Sequence, residues 1–261
     1  MHHAKDITLA NLINELQYKG YSYVDNFFPK NTMDKIKREY QQLENESMKQ
    51  LKPNQDTIVL KPTQEHIAMN MALDYFTKGL MAEFNEAFSE YDETIKTSYY
   101  HPPQTFETFK GYMGTQLRMR VSGALDKHID RSSARLTVLY YLNTCEGGDL
   151  RLWLLPKEKT NTFKAANEWH LQTVSHSTEI VDIAAKENRL IVFWSDCIPH
   201  EVLTTLSPRS CLQVFYASEA HVDTVWDAPR KKSSQAKTLR PFILSIVVLL
   251  LCILIYFLFL K

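Results

Sequence analysis

Apolar positions follow a helical spacing through the first third of the chain. Between Asp6 and Gly20 they recur every three or four residues, which predicts a helix that ends at the glycine. The alternating Gly20–Val24 segment predicts a short strand. A second helix is predicted after Asn31 or Thr32, either of which has a side chain suited to cap its N-terminus. Its apolar face carries Met33, Ile36, Tyr40 and Leu43. A third helix is predicted from Met69 to Tyr91.

The pattern changes from about residue 106 onward. Short apolar or alternating runs follow one another, with turn residues between them. Many short strands in this arrangement predict a β-sandwich or barrel. The runs are Gly114–Val121, Leu136–Leu142, Leu150–Leu155, Leu190–Trp194, Glu201–Leu206 and Cys211–Ala217.

The C-terminal segment Phe242–Leu260 has no charged residue and a single serine. A helix of about 20 apolar residues spans the roughly 30 Å hydrocarbon core of a bilayer and satisfies its own backbone polar groups. We therefore predict a transmembrane tail anchor over these residues. Five basic residues precede it, and the positive-inside rule then places the rest of the chain on the cytoplasmic side. They are Arg230, Lys231, Lys232, Lys237 and Arg240.

Charge and cysteine content narrow the classes of function. The formal net charge is zero, with 30 basic and 30 acidic side chains, so no overall field favours nucleic acid. The four cysteines form no CxxC pair of the kind found in zinc knuckles. We expect an ordinary globular region with free thiols ahead of the membrane anchor.

Candidate metal chemistry lies in the predicted β region. His128 and Asp130 are two residues apart, so in an extended segment their side chains point to the same side. His200 lies beside a later predicted strand. Two histidines and one carboxylate form the facial triad that binds non-haem Fe(II) and leaves coordination positions open. These three residues are therefore predicted to be both metal ligands and catalytic residues.

A candidate cation for a co-substrate follows the last of these ligands. Arg209 lies nine residues after His200, just past the turn signal Ser207-Pro208. A 2-oxo acid can occupy two open iron positions and O₂ the third, and the far carboxylate of 2-oxoglutarate then needs a fixed cation. An arginine side chain is always charged and offers a carboxylate two parallel hydrogen bonds. Arg209 is therefore predicted to bind the co-substrate.

Other histidines compete for these roles. An HxD motif alone has little specificity, and the chain contains a second one, His221-Val222-Asp223. No histidine follows it, so it cannot begin the same ordered triad. His170 and His176 lie in a polar stretch without an arginine nine residues later, and we predict surface positions for both. A cupin site would need an HxH motif, which the β region lacks.

Longer segments around these residues resemble the hypoxia-inducible-factor prolyl hydroxylases, within the wider prolyl 4-hydroxylase-like superfamily. Phe193–Val202, which includes the distal histidine, resembles the corresponding segment of that family. Thr137–Asn143 and Gly147–Leu152 resemble its central strands. The resemblance covers residues 110–218.

The resemblance implies an α+β fold built on a double-stranded β-helix, or jelly roll. N-terminal helices would support it, and one C-terminal transmembrane helix would follow it. The predicted division is a mainly helical support region at 1–105, an Fe(II)/2-oxoglutarate dioxygenase core at 106–220, a basic linker at 221–241 and the tail anchor at 242–260.

The resemblance also implies a dioxygenase that hydroxylates a protein or peptide residue, most simply proline, and releases succinate and CO₂. Fe(II), 2-oxoglutarate, O₂ and ascorbate are the expected cofactors and co-substrates. Tyr141 matches a family tyrosine that hydrogen-bonds the co-substrate, and core packing is its alternative role. Where family members usually carry another co-substrate tyrosine, this chain has Arg118 and Arg120. The loop Asp130–Arg135, which helps choose the substrate in the family, is short, so the hypoxia-factor substrate is not carried over.

The same predicted site is compatible with other functions. An inactive oxygenase fold would bind a partner at the membrane without turnover, and an active one could oxidise a non-prolyl substrate. A nucleic-acid demethylase would need a basic groove, and the chain has no basic stripe outside the juxtamembrane cluster. The expected partners are therefore a protein or peptide and a membrane, without nucleic acid.

Overall fold

A computed structural model describes residues 2–52, 55–89, 109–130, 134–154, 179–196 and 198–217. The helices in these ranges are α1 (His2–Lys19), α2 (Lys30–Met48), α3 (Ile67–Asp74) and α4 (Leu80–Ser89), with a π-helical turn at Tyr75–Gly79. The strands are β1 (Tyr21–Val24), β2 (Thr57–Leu60), β3 (Gly111–Arg120), β4 (Gly123–His128), β5 (Leu136–Tyr141), β6 (Leu150–Leu154), β7 (Glu179–Ile183), β8 (Leu190–Trp194), β9 (His200–Thr205) and β10 (Arg209–Ala217).

The described strands form two antiparallel sheets. The larger sheet has six strands in the order β1-β8-β5-β10-β3-β2, and the smaller one has four in the order β4-β9-β6-β7. This is the predicted α+β fold with a jelly-roll core and N-terminal helices. The chain changes sheet between β9 and β10, so a short link carries it from one wall of the core to the other.

The larger sheet is covered by side chains on both faces. Every residue of β5 and β8 is buried, as expected for central strands made of continuous apolar runs. Helix α2 covers the outer face. The hydroxyls of Tyr40 in α2 and Ser210 in β10 lie 2.8 Å apart, and the Tyr140 hydroxyl in β5 lies 2.9 Å from the sulfur of Met33 in α2. The four predicted apolar positions of α2 are all buried.

Two details of the predicted helices are wrong. Helix α2 begins at Lys30 after Pro29, and neither Asn31 nor Thr32 caps it. The predicted helix from Met69 onward is interrupted by the π-helical turn. Such a turn adds one residue and leaves a backbone carbonyl without its usual helical partner. The buried Tyr216 hydroxyl donates to the Phe76 carbonyl within this turn and thereby helps to satisfy it.

The six predicted strands are present; Leu190–Trp194 has its predicted bounds, and the other five are shifted by up to a few residues. The three described strands without a matching prediction are β2, β4 and β7. No helix within the described ranges is long and apolar enough to cross a membrane. The predicted linker and tail anchor, residues 221–260, lie outside those ranges, and the predicted domain division stays a prediction.

Candidate active site

The three predicted metal ligands converge at the end of the smaller sheet. His128 ends β4 and lies directly opposite His200, which begins β9, with the ring centroids 4.3 Å apart. The Asp130 carboxylate lies 3.6 Å from Nε2 of His128 and 3.7 Å from Nε2 of His200. One ligand atom from each residue falls within 4.8 Å of the others. The prediction that these side chains face one point is confirmed.

Backbone contacts orient both imidazoles toward that point. Nδ1 of His128 lies 2.7 Å from the Asp126 carbonyl, and Nδ1 of His200 lies 2.9 Å from the Ile198 carbonyl. When Nδ1 carries the proton and donates to the carbonyl, the Nε2 lone pair is left for a metal. Two neutral imidazoles and one carboxylate, with the remaining side open, fit Fe(II).

Burial and mutual charge set the protonation of the ligands. Burial lowers the pKa of His200 to about 4, so this imidazole is neutral at pH 7. Burial opposes ionisation of Asp130, but the two histidines outweigh it and hold the carboxyl pKa below its ordinary value. Burial likewise opposes protonation of His128, and its hydrogen bond to the Asp130 carboxylate still raises its pKa.

A buried polar pair supports the Asp130 carboxylate from the larger sheet. The Thr137 hydroxyl donates to Oδ2 of Asp130 at 3.0 Å and lies 2.7 Å from the Ser195 hydroxyl. The Asp130 backbone N–H donates to the Ser195 carbonyl at 2.9 Å. Both hydroxyl residues are at most 1% exposed. Sequence reasoning missed them, although a polar residue inside an apolar strand must find a partner.

The predicted co-substrate residues meet on the larger sheet. Arg209 begins β10, is 6% exposed and donates from Nη2 to the Tyr141 hydroxyl at 2.7 Å. Its Nε is buried and has no hydrogen-bond partner within the described part of the chain. A buried guanidinium with an unsatisfied donor fits an incoming carboxylate. Burial opposes the charge on Arg209, yet Tyr141 helps to keep its pKa above the ordinary value.

Gly148 makes room for this arginine. It has a φ of +68°, and a Cβ placed there would lie 2.9 Å from Cδ of Arg209 and 3.1 Å from the Thr205 hydroxyl. Gly147 and Gly148 both have positive φ, and the turn that they form packs against the buried arginine.

A cavity lies between the two sheets in front of the histidines. Its volume for water-sized molecules is about 50 Å³, within a concavity of about 530 Å³ that includes open solvent. Phe193 lines it, with its ring 4.8 Å from the His200 ring. The lining residues are Thr57, Arg118, Arg120, Leu125, His128, Thr137, Leu139, Leu150, Phe193, His200, Val202, Arg209, Cys211 and Gln213.

Among the described residues, His66 is not part of this ligand group. His66 precedes α3, where its Nδ1 accepts a hydrogen bond from the Thr63 backbone N–H at 3.1 Å. His170, His176 and the second HxD motif lie outside the described residues.

Comparison with known proteins gives a match over the β-strand region of the chain. Residues 115–217 match the family model described as the 2OG-Fe(II) oxygenase superfamily. A prolyl-4-hydroxylase from Pseudomonas putida has a TM-score of 0.52 at 18% identity, covering 80% of this chain and 98% of that one.

Two further hydroxylase structures are similar at the same level. A Trichoplax adhaerens prolyl hydroxylase, in complex with a hypoxia inducible factor peptide fragment, has a TM-score of 0.55 at 16% identity, covering 83% of this chain and 91% of that one. A Phytophthora capsici prolyl 4-hydroxylase has a TM-score of 0.52 at 18% identity, covering 88% of this chain and 69% of that one. Likeness at this identity shows the fold and does not single out the hypoxia-factor type. The match over residues 115–217 and the converging triad together identify a 2-oxoglutarate- and Fe(II)-dependent oxygenase, with His128, Asp130 and His200 as its metal-binding triad.

Proposed function

We propose that the chain hydroxylates a protein or peptide residue, most simply proline. The observation that carries this is the cavity itself, which is lined by the ligands His128 and His200 and by Arg209, the hydrogen-bond partner of Tyr141. A co-substrate held between the two would leave its reactive end at the metal and its far carboxylate on the guanidinium. The peptide complex of the similarly folded Trichoplax enzyme supports a peptide substrate.

The protein's own residues would hold the metal, orient the co-substrate and limit the access of water. When bound, Fe(II) with 2-oxoglutarate and O₂ supplies the oxidation, in which the 2-oxo acid becomes succinate and CO₂ and one oxygen atom enters a substrate C–H bond. His128 and His200 present fixed lone pairs, and Asp130 presents a carboxylate fixed by Thr137. The apolar lining of the cavity, such as Phe193, keeps bulk water from the reacting groups.

Peptide hydroxylation is tested in air with the purified full chain, Fe(II), 2-oxoglutarate and pools of proline-containing peptides. We expect succinate release that depends on peptide, with a product heavier by one oxygen atom at proline in tandem mass spectra. Asp130→Ala should abolish both signals, because the metal site loses its only carboxylate among the three ligands. Oxygen addition at another residue type would assign a non-prolyl substrate. Binding of iron and 2-oxoglutarate without any oxidised peptide would contradict the proposal.

We also propose that residues 242–260 anchor the enzyme in a membrane with its catalytic region on the cytoplasmic side. The support is the uncharged apolar sequence and the basic cluster before it. In cells, the full chain should sediment with membranes, and a chain truncated after residue 241 should not. Digestion of intact membranes should remove the catalytic region, and protection of that region would contradict this orientation.

A further inference from the structure

The cavity carries more positive charge than one co-substrate requires. Arg118, Arg120 and Arg209 all line it, and none of its described lining residues is acidic. Arg118 and Arg120 are two residues apart on β3, so their side chains leave the strand on the same side. One buried guanidinium is enough for the far carboxylate of 2-oxoglutarate, which leaves Arg120 as a further cation on the wall of the same cavity, with Arg118 next to it.

Two of these arginines are direct neighbours across the sheet. In the β3–β10 pairing, Arg120 lies opposite Arg209, an arrangement that is destabilising for like charges. Arg120 donates to the Ala124 carbonyl at 2.9 Å and lies 3.4 Å from Asp56, whose side chain is 63% exposed. An exposed carboxylate at that distance compensates little because solvent screens it. Burial lowers the pKa of Arg120, Asp56 opposes this shift, and Arg209 adds to it.

Binding of Fe(II) and 2-oxoglutarate does not neutralise the excess positive charge of the cavity. The charges of Fe(II) and Arg209 are balanced by Asp130 and the two carboxylates of 2-oxoglutarate. Arg120 lies outside that balance, with Arg118 beside it on the same face of β3. A cationic wall in a partly closed cavity concentrates anions, and guanidinium groups bind carboxylates through paired hydrogen bonds. The loaded enzyme is therefore suited to a substrate that brings its own negative charge.

We propose that Arg118 and Arg120 bind a carboxylate of the substrate, so that the preferred peptide carries an acidic side chain beside the oxidised residue. This inference rests on the proposed hydroxylation of a peptide. Existing contacts orient both groups: Gln213 accepts from Arg118 at 3.4 Å, and the Ala124 carbonyl accepts from Arg120. A free peptide C-terminus offers the same chemical group, and the experiment separates the two sources.

Binding is measured without turnover, on the full chain with Fe(II) and 2-oxoglutarate under anaerobic conditions. The probes are fluorescent peptide pools with a central proline, capped at both ends, with either glutamate or glutamine next to the proline. A third pool has glutamine and a free C-terminal carboxylate. We expect the glutamate pool to bind about tenfold more tightly than the capped glutamine pool, as the loss of a charged hydrogen bond predicts. Preference for the third pool instead would assign the C-terminus as the ligand and overturn the side-chain assignment.

Charge-neutral variants identify the residues responsible. Arg118→Gln and Arg120→Gln should each remove most of the glutamate preference, and the affinity for 2-oxoglutarate should stay within about twofold. Arg120→Lys keeps the charge and should retain part of the preference. Arg151→Gln is the matched control, because Arg151 pairs with Asp182 at 2.7 Å and does not line the cavity. It should bind all pools as the unmodified protein does.

The possible failures are distinguishable. Equal binding of glutamate and glutamine pools by the unmodified protein overturns the inference and leaves peptide hydroxylation standing. Loss of 2-oxoglutarate affinity in Arg120→Gln, with the glutamate preference intact, also overturns it and assigns the arginine to the co-substrate. Absence of binding to every pool, together with absence of oxidised peptide in air, refutes the proposed hydroxylation itself.

Discussion

Replacing Thr137 by valine should weaken the iron site without changing a single ligand. Valine keeps the β-branched shape that suits a buried strand, so the change removes only the hydroxyl. That hydroxyl donates to Oδ2 of Asp130 at 3.0 Å and contacts the Ser195 hydroxyl at 2.7 Å. The variant leaves Asp130 with its charge and its place in the chain, but without this donor from the larger sheet.

The size of the effect follows from the burial of the pair. Thr137 is 1% exposed and the Asp130 side chain 12%, so solvent cannot easily replace the lost donor. A hydrogen bond to a charged group contributes about 1.5–3 kcal/mol, and we expect the unfolding free energy of the metal-free protein to fall by about that amount. Loss of an outer partner of a metal ligand typically costs about 10–100-fold in metal affinity. We expect Fe(II) affinity to fall within this range.

The assay pairs urea unfolding of the metal-free protein with anaerobic titration of Fe(II). Thr137→Ser is the matched variant, since it loses a methyl group but keeps the hydroxyl. It should lose some stability through packing and retain Fe(II) affinity within about twofold. If Thr137→Val bound Fe(II) as tightly as Thr137→Ser, the hydroxyl would have no part in positioning the carboxylate, and the argument would be wrong.

Four further substitutions test the site and the fold. Gly148→Ala and Gly123→Ala both place a side chain at positive φ and should each cost about 1–2 kcal/mol in urea unfolding. Only Gly148→Ala should also raise the KM for 2-oxoglutarate, because its Cβ meets Arg209 and nothing lies within 4 Å of a Cβ at Gly123. Tyr141→Phe should raise the same KM about tenfold and leave Fe(II) affinity unchanged in titration, because only the arginine loses a partner. Asp25, whose pKa is lowered to about 2 by neighbouring basic groups, contributes stability that is lost as pH falls from about 4 toward 2. In acid unfolding, Asp25→Asn should lack the stability that the unmodified protein loses between about pH 4 and pH 2. An acid transition unchanged from that of the unmodified protein would contradict this role of Asp25.

Apolar runs predicted the central strands because those strands are buried on both faces. Leu190–Trp194 was predicted with its observed bounds. Strand β4 was not predicted because Gly123–His128 is mostly exposed and its apolar residues do not alternate with polar ones. Its extended form comes from pairing with β9, which is a contact between distant parts of the chain.

The metal ligands could be predicted because their residue types and their order along the chain are visible in the sequence. His128 and Asp130 share one extended segment, and His200 follows in the order that the triad requires. The support given by Thr137 and Ser195 could not be predicted in the same way. It depends on which side chains of β5 and of the turn after β8 meet a carboxylate that follows β4, and only the folded packing determines that.

The spacing between the distal histidine and the arginine has a structural cause. His200 begins β9 in the smaller sheet, and Arg209 begins β10 in the larger one. The nine-residue interval is therefore one six-residue strand plus the link that carries the chain across the core. Since strand side chains alternate in direction, a one-residue insertion within β9 would reverse the faces of the residues after it and disturb the entry into β10. The metal wall and the co-substrate wall are thus placed relative to each other by the length of β9. Arg118 and Arg120 line the cavity from β3, which is a separate part of the chain. Substitutions there can change the charge that a substrate meets without altering the distance between the metal ligands and Arg209.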